Sequence, residues 1–165
     1  MKINKTHIPY CYWVKPDIHL DSRGVVSEIF KNPHIKDSFK IAQVNYSFSK
    51  RGVLRGIHRA PYAKYVTCVQ GQIYDVCVDL RTDSPTYRQY FGMVLDAKKL
   101  NSIYIPSFCG HAFLATVDSV VLYQQGDIYN PNTDEAFCYK DFDIKWPINP
   151  EIISNKDKGS CLNNV

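Results

Sequence analysis

Hydrophobic and polar positions alternate with a period of two along most of the middle of the chain. Residues 41–47, Ile-Ala-Gln-Val-Asn-Tyr-Ser, do so roughly, and residues 65–70 and 72–80 do so most clearly. Gly71 stands between those two runs and predicts a tight turn, so the pair reads as a β-hairpin. Thr82-Asp-Ser-Pro85 reads as a turn, residues 86–95 resume the alternation, and residues 102–105 read as a strand that Pro106 ends. Residues 111–117 and 119–129 predict a second hairpin about Asp118. No long helical period is present. Many short strands at this spacing predict a sandwich or barrel.

The two ends are less regular. Pro9, Pro16 and Pro33 interrupt residues 1–40, which read as short strands among loops. Residues 130–165 contain Pro131, Pro147, Pro150 and many Asn, and read as an extended tail with a short helix at most. The chain shows no solenoid repeat, low-complexity segment or linker. Its 165 residues read as one domain over 1–165 with a sizeable core.

Composition adds little to this picture. Hydrophobic residues make up 45% and charged residues 22%, ordinary for a globular protein, and the 12 Tyr and 8 Phe suit strands. A net charge of +4 without a block of like charges does not indicate nucleic-acid binding, although it suits an anionic small molecule. Met1-Lys-Ile-Asn-Lys-Thr-His7 has no apolar leader character, and no run approaches the ~18 apolar residues of a membrane helix. The expectation is a cytoplasmic protein without a membrane partner. The six cysteines form no C-x-x-C pair, and Cys68 and Cys77 lie in apolar strand patterns, so six reduced thiols are expected.

The chemistry-bearing residues gather around Gly52-Val-Leu-Arg-Gly-Ile-His58 and Lys64. A histidine alone is more often structural, but Arg55 and Lys64 beside it change the odds. Strict alternation puts Arg55 and His58 on opposite faces. They share a face only if Gly56 marks a bulge, and that is the expectation. His111, in Ile105-Pro-Ser-Phe-Cys-Gly-His111, stands in a context like a metal-binding barrel motif. Ala60 stands two residues after His58, where a second histidine would be needed, and no matching carboxylate is present. A metal-free, cofactor-free pocket is therefore expected. Cys109 is a poor candidate nucleophile, because no Asn or Asp is placed to orient the adjacent histidine. Tyr123 and Asp157 would not be chosen by pattern alone. A base, a phenol, a carboxylate and several cations on one barrel lumen would suit proton abstraction beside a carbonyl of an anionic substrate.

Taken in order, several segments resemble the dTDP-4-dehydrorhamnose 3,5-epimerase family. They are Asp21-Ser-Arg-Gly24, Gln43-Val-Asn-Tyr-Ser47, Val53-Leu-Arg-Gly-Ile-His58, Asp75 through Thr86, Ile105 through Phe113, Leu122-Tyr123 and Asp157. The resemblance implies an all-β, cupin-like jelly-roll barrel with short peripheral helices, a homodimer, and a nucleotide-linked 4-keto sugar as substrate. It implies His58 as the base, Asp157 as the carboxylate that orients it, Tyr123 as the acid on the opposite ring face, and Lys64 as the cation at the C4 oxygen. Gln43, Asn45, Ser47, Arg55, His111, Asp134 and Lys156 match substrate-contacting positions, and Arg23 and Glu28 match positions that reach the ligand near the dimer interface. The arginines suit pyrophosphate.

Three departures stand out. Arg59-Ala60 replaces an aromatic-Gln pair after His58, and Val25 and Ile128 occupy the two aromatic positions that sandwich thymine. A GDP-linked 4-keto-6-deoxy sugar or heptose is therefore an alternative substrate. A non-catalytic sugar-nucleotide-binding cupin is a competing reading, and a 3,4-ketoisomerase is a more distant one.

Overall fold

A computed structural model describes residues 1–31 and 39–162; the loop expected around Pro33 lies outside these residues. In chain order the strands begin with β1 (Lys2–Lys5), β2 (Tyr12–Lys15), β3 (Ile18–Asp21), β4 (Gly24–Ser27), β5 (Gln43–Ser49), β6 (Val53–Arg59) and β7 (Lys64–Gln70). They continue with β8 (Gln72–Asp79), β9 (Tyr90–Asp96), β10 (Ser102–Ile105), β11 (Cys109–Ala115), β12 (Ser119–Gln125), β13 (Glu135–Ala136) and β14 (Ile152–Ile153). Among the described residues a 3-10 turn spans Tyr139–Phe142 and one helix, α1, spans Asn155–Leu162.

Two sheets carry the fold. One runs β1-β2-β10-β7-β12-β5, and the other runs β13-β6-β11-β8-β9 with β14 also on β6. They form the expected all-β, cupin-like jelly-roll barrel. Their facing sides enclose Val66, Cys68, Ile73, Cys77, Ile103, Phe113 and Val121. The outer face of the second sheet is covered in turn by the tail, where Phe142 and Ile144 pack on Ile57, Val76, Val78 and Ala112. Because both of its faces are covered, β11 is buried from end to end. Its sequence, Cys-Gly-His-Ala-Phe-Leu-Ala, accordingly runs nearly continuously apolar rather than alternating.

The two expected hairpins are not hairpins. β7 pairs with β10 and β12, whereas β8 pairs with β11 and β9, so the chain crosses between sheets at Gly71. β11 and β12 are likewise in different sheets, with Asp118 at the crossing. The two corners pack on each other: Ser119 Oγ accepts from Gln72 N–H at 3.0 Å. A side chain on Gly71, at φ +75°, would run into Asp118 and Ser119. Alternation reports which residues face inward, but it carries no information on which strand lies alongside. β9 also starts later than expected. Ser84 and Thr86 donate to the buried Asp79 carboxylate at 2.7 and 2.6 Å, holding residues 82–89 as a turn around it.

The tail is more structured than an extended strap. β13 pairs with β6 at His58 and Arg59, while β14 runs parallel to β6 at Val53 and Leu54. The cysteines need a second correction. Cys138 and Cys161 form a disulfide, with Cα atoms 4.5 Å apart, where reduced thiols were expected. The tail's return brings the two together, and their separation of 23 residues follows no sequence rule. Cys11, Cys68, Cys77 and Cys109 are free and buried, as small hydrophobes. For Cys109, burial in the core removes the thiol from any role as a nucleophile.

Candidate active site

A cavity of about 610 Å³ opens in the barrel between the two sheets, within the usual range for a small-molecule site. β6 supplies Arg55 and His58, and both line it. The conflict of faces is resolved at Gly56. In the ladder with β11, His58 lies opposite His111 and Arg55 opposite Phe113, so three steps on β6 match two on β11. This is a bulge, and it turns Arg55 inward beside His58. Only glycine fits there. Gly56 has φ +110°, and a Cβ would stand 2.8 Å from Cα of Ala112 and closer still to the His111 carbonyl oxygen.

The gap between β13 and β14 on β6 is filled by a carboxylate. α1 starts directly after β14 and carries Asp157 in its first turn. Asp157 Oδ1 accepts from His58 Nε2–H at 2.6 Å, and Oδ2 accepts from Gly56 N–H at 3.3 Å. The Ser154 hydroxyl accepts from Asp157 N–H at 3.1 Å. The Asp157 side chain is 3% exposed. Burial alone would raise its pKa, but the bonds to His58, its charge, Gly56 N–H and Ser154 together hold it below the ordinary carboxylate range. An ionised, fixed carboxylate on one imidazole nitrogen leaves the other, Nδ1, with its lone pair free.

Tyr123 faces the cavity from β12, in the opposite sheet, and packs on Phe113 with ring centroids 6.3 Å apart. Burial raises the pKa of its phenol, and the Ser47 hydroxyl and Arg55 pull it back only in part. The hydroxyl therefore keeps its proton through the neutral range. Lys64 begins β7, lines the same cavity and donates to the His58 carbonyl oxygen at 3.5 Å. Desolvation lowers the pKa of its ammonium, while Asp134 and Asp75 act to raise it.

Sequence reasoning did not assign Asp75. It lies fully buried on β8, and its Oδ2 accepts from His111 Nε2–H at 2.9 Å, a second carboxylate–imidazole pair in the same wall. Burial pushes its pKa up, and His111 and Lys64 oppose that. Its signal was present: Ile73, Asp75 and Cys77 share one side of β8, so a carboxylate stands in an apolar row. Tyr62 and Gln125 were also missed. A chain of amides joins them to the expected residues. Gln43 donates to Asn45 at 2.7 Å, Asn45 to Gln125 at 2.7 Å and Gln125 to the Tyr62 hydroxyl at 3.1 Å, while Tyr129 N–H donates to Gln43 at 2.8 Å.

Arg55 is held by Ser49 Oγ at 3.0 Å and the Phe48 carbonyl at 3.1 Å. Lys156 donates to Asp134 at 2.5 Å on the cavity wall. Arg23 and Glu28 are not in this group. Arg23 sits on the β3–β4 arm paired to Asp21, and Glu28 follows that arm and pairs with Lys31. Val25 is exposed on β4, and Ile128 lies exposed in a neighbouring depression that shares Tyr62 and Tyr129 with the cavity.

A jelly-roll barrel whose cavity sets a carboxylate-bound histidine opposite a protonated phenol, with cations on its wall, holds the groups that acid–base chemistry needs. The chain belongs to the dTDP-4-dehydrorhamnose 3,5-epimerase family, whose model matches residues 5–163. It is 41% identical to the dTDP-4-dehydrorhamnose 3,5-epimerase of Mycolicibacterium smegmatis, over 95% of this chain and 83% of that one. The rmlC epimerase of Mycobacterium tuberculosis superposes with a TM-score of 0.91 at 35% identity, covering 96% of this chain and 86% of that one. ChmJ of Streptomyces bikiniensis, a 3'-monoepimerase solved with dTDP-quinovose, superposes at 0.89 with 33% identity, covering 94% of this chain and 85% of that one.

Proposed function

We propose that the chain epimerises a dTDP-linked 4-keto-6-deoxyhexose at C3, C5 or both, through an enolate. The observation that carries this reading is the placement of His58–Asp157 and Tyr123 in opposite sheets, on one cavity. Inversion needs a proton removed from one face of a carbon and another delivered to the opposite face. Nδ1 of His58 takes the proton beside the C4 ketone, and the C–H electron pair moves into the enolate. The new charge lies on the C4 oxygen, where Lys64 stabilises it. Tyr123 then donates its proton to the opposite face, and solvent restores both groups.

Relatives named for dTDP sugars favour that nucleotide over GDP, and Tyr129 and Tyr62 on the cavity wall are candidates for the flat surface that Val25 and Ile128 lack. The β3–β4 arm, with Leu20 77% exposed, and the outward row Val44, Tyr46 and Phe48 on edge strand β5 favour a homodimer in which the arm brings Arg23 and Glu28 to the partner's nucleotide. The test is incubation with dTDP-, UDP- and GDP-linked 4-keto sugars in deuterated water. Deuterium at C3 or C5 of the dTDP sugar supports the reading. Uptake confined to a GDP sugar selects the alternative substrate, and uptake into none leaves a binding protein.

A further inference from the structure

α1 carries Asp157, yet little else fixes it. Over residues 155–161 it reads Asn-Lys-Asp-Lys-Gly-Ser-Cys, with no apolar stripe, and Asn155, Lys156 and Lys158 are exposed. An isolated helix of this length is unstable in water, and Gly159 in its interior weakens it further. Among the described residues, the side-chain bonds that tie it outward besides those of Asp157 are Lys156 to Asp134 and the covalent bond from Cys161 to Cys138. Asp157 and Cys161 are four residues apart, so they share one face of the helix. Cys138 in turn stands on a segment hydrogen-bonded to β6. Phe137 N–H donates to the Ile57 carbonyl at 2.9 Å, and Ala136 pairs with His58. The disulfide therefore ties the helix that supplies the carboxylate to the strand that supplies the imidazole.

We propose that the Cys138–Cys161 bond is a redox-controlled clamp that holds Asp157 on His58, so that reduction weakens the base. The two cysteines are positioning residues, acting through Asp157; the catalytic part of the proposal rests on the function given above. Cys138 is buried, whereas Cys161 is partly exposed, so Cys161 Sγ is the sulfur open to attack. A thiolate of a dithiol reductant attacks it, and Cys138 leaves as a thiolate and takes up a proton. The second thiol of the reductant then resolves the mixed disulfide and frees Cys161. Two electrons and two protons pass from the dithiol, which becomes a disulfide. In the reducing cytoplasm expected from the sequence such a bond is exchangeable, which makes the dithiol pool the natural controlling signal. Reduction leaves α1 held by Lys156 and by Asp157's own bonds, and the helix spends more time away from β6.

The experiment compares air-oxidised and dithiothreitol-reduced full-length protein by two readouts, with Cys161→Ser and Asp157→Asn alongside. One is deuterium incorporation into a dTDP-4-keto sugar. The other is backbone amide exchange of residues 155–162 by mass spectrometry. Reduction is expected to slow incorporation about tenfold, the worth of one hydrogen bond to a charged group, and to speed amide exchange in α1 by a similar factor. Cys161→Ser should match the reduced parent and ignore dithiothreitol. In Asp157→Asn the redox effect on incorporation should vanish, an outcome that general loosening of the tail would not give. Equal rates and equal α1 protection in both redox states of the parent would overturn the proposal, as would an undiminished redox effect in Asp157→Asn. If the oxidised parent turns over no sugar nucleotide, the proposed function fails. Amide exchange then decides the clamp alone, faster exchange upholding it and unchanged exchange overturning it.

Discussion

Gly56→Ala joins the backbone to the chemistry in one substitution. At φ +110° an alanine is strained, and its methyl meets the Ala112 backbone at 2.8 Å with the His111 carbonyl nearer still. Backbone strain of this kind costs about 1–3 kcal/mol, and overpacking a buried site adds about 1–3 kcal/mol. A total of ~2–6 kcal/mol is a large share of the ~5–15 kcal/mol that holds a domain folded. At this chain length it should lower Tm by ~10 °C. The damage to activity should exceed the loss of folded protein. The bulge sets Arg55 and His58 on one face, and Gly56 N–H binds Asp157 at 3.3 Å. We expect substrate deuteration per folded molecule, with the folded fraction taken from circular dichroism, to fall at least ~30-fold, or about 2 kcal/mol. A variant that melts within ~2 °C of the parent and deuterates at its rate would show that the bulge positions nothing.

Other substitutions separate the acid from the fold. Tyr123→Phe keeps the packing on Phe113 and removes only the hydroxyl, so proton abstraction should persist while net inversion, followed by NMR, falls by ~10²–10⁴ at one centre or more. Inversion at the parent rate would reduce Tyr123 to a packing residue. Asp79→Asn should cost about 2–3 kcal/mol in denaturant melts, because the carboxylate accepts from Arg81, Ser84 and Thr86 while fully buried. Burial raises the Asp79 pKa, but these bonds win and hold it well below the ordinary range. A pKa lower when folded than when unfolded gives stability that is complete above the ordinary carboxylate range and is lost as pH falls below it. Parent and Asp79→Asn should therefore converge in stability at acid pH, and a gap that stays constant with pH would contradict this.

How much of this was legible in the sequence depended on whether the controlling contact was local. The strand at residues 102–105 and the bulge at Gly56 could be read because each rests on its own residues: the apolar run before Pro106, and a glycine between two groups that must share a face. His58, Tyr123 and Asp157 came from the order of the motifs. Pattern alone would have passed over Tyr123 among 12 tyrosines. The false hairpins at Gly71 and Asp118 arose because a turn residue between two alternating runs looks the same whether the chain folds back or crosses to the facing sheet. The Cys138–Cys161 bond and the pairing of β13 and β14 with β6 depend on where the tail lands, a long-range outcome with no periodic trace. Asp75 was visible in an apolar row, but its meaning required His111 beside it.

The central claim is that His58, held by Asp157, removes the proton. Its most direct test is single-turnover deuterium incorporation into a dTDP-4-keto-6-deoxy sugar by His58→Asn, an uncharged substitution of a partly exposed side chain that should leave the fold intact. Loss of a general base predicts a fall of ~10²–10⁴ at each of C3 and C5 that the parent exchanges, with the melting curve unchanged. Incorporation within a few-fold of the parent at either such carbon would contradict the assignment and move the base elsewhere in the cavity.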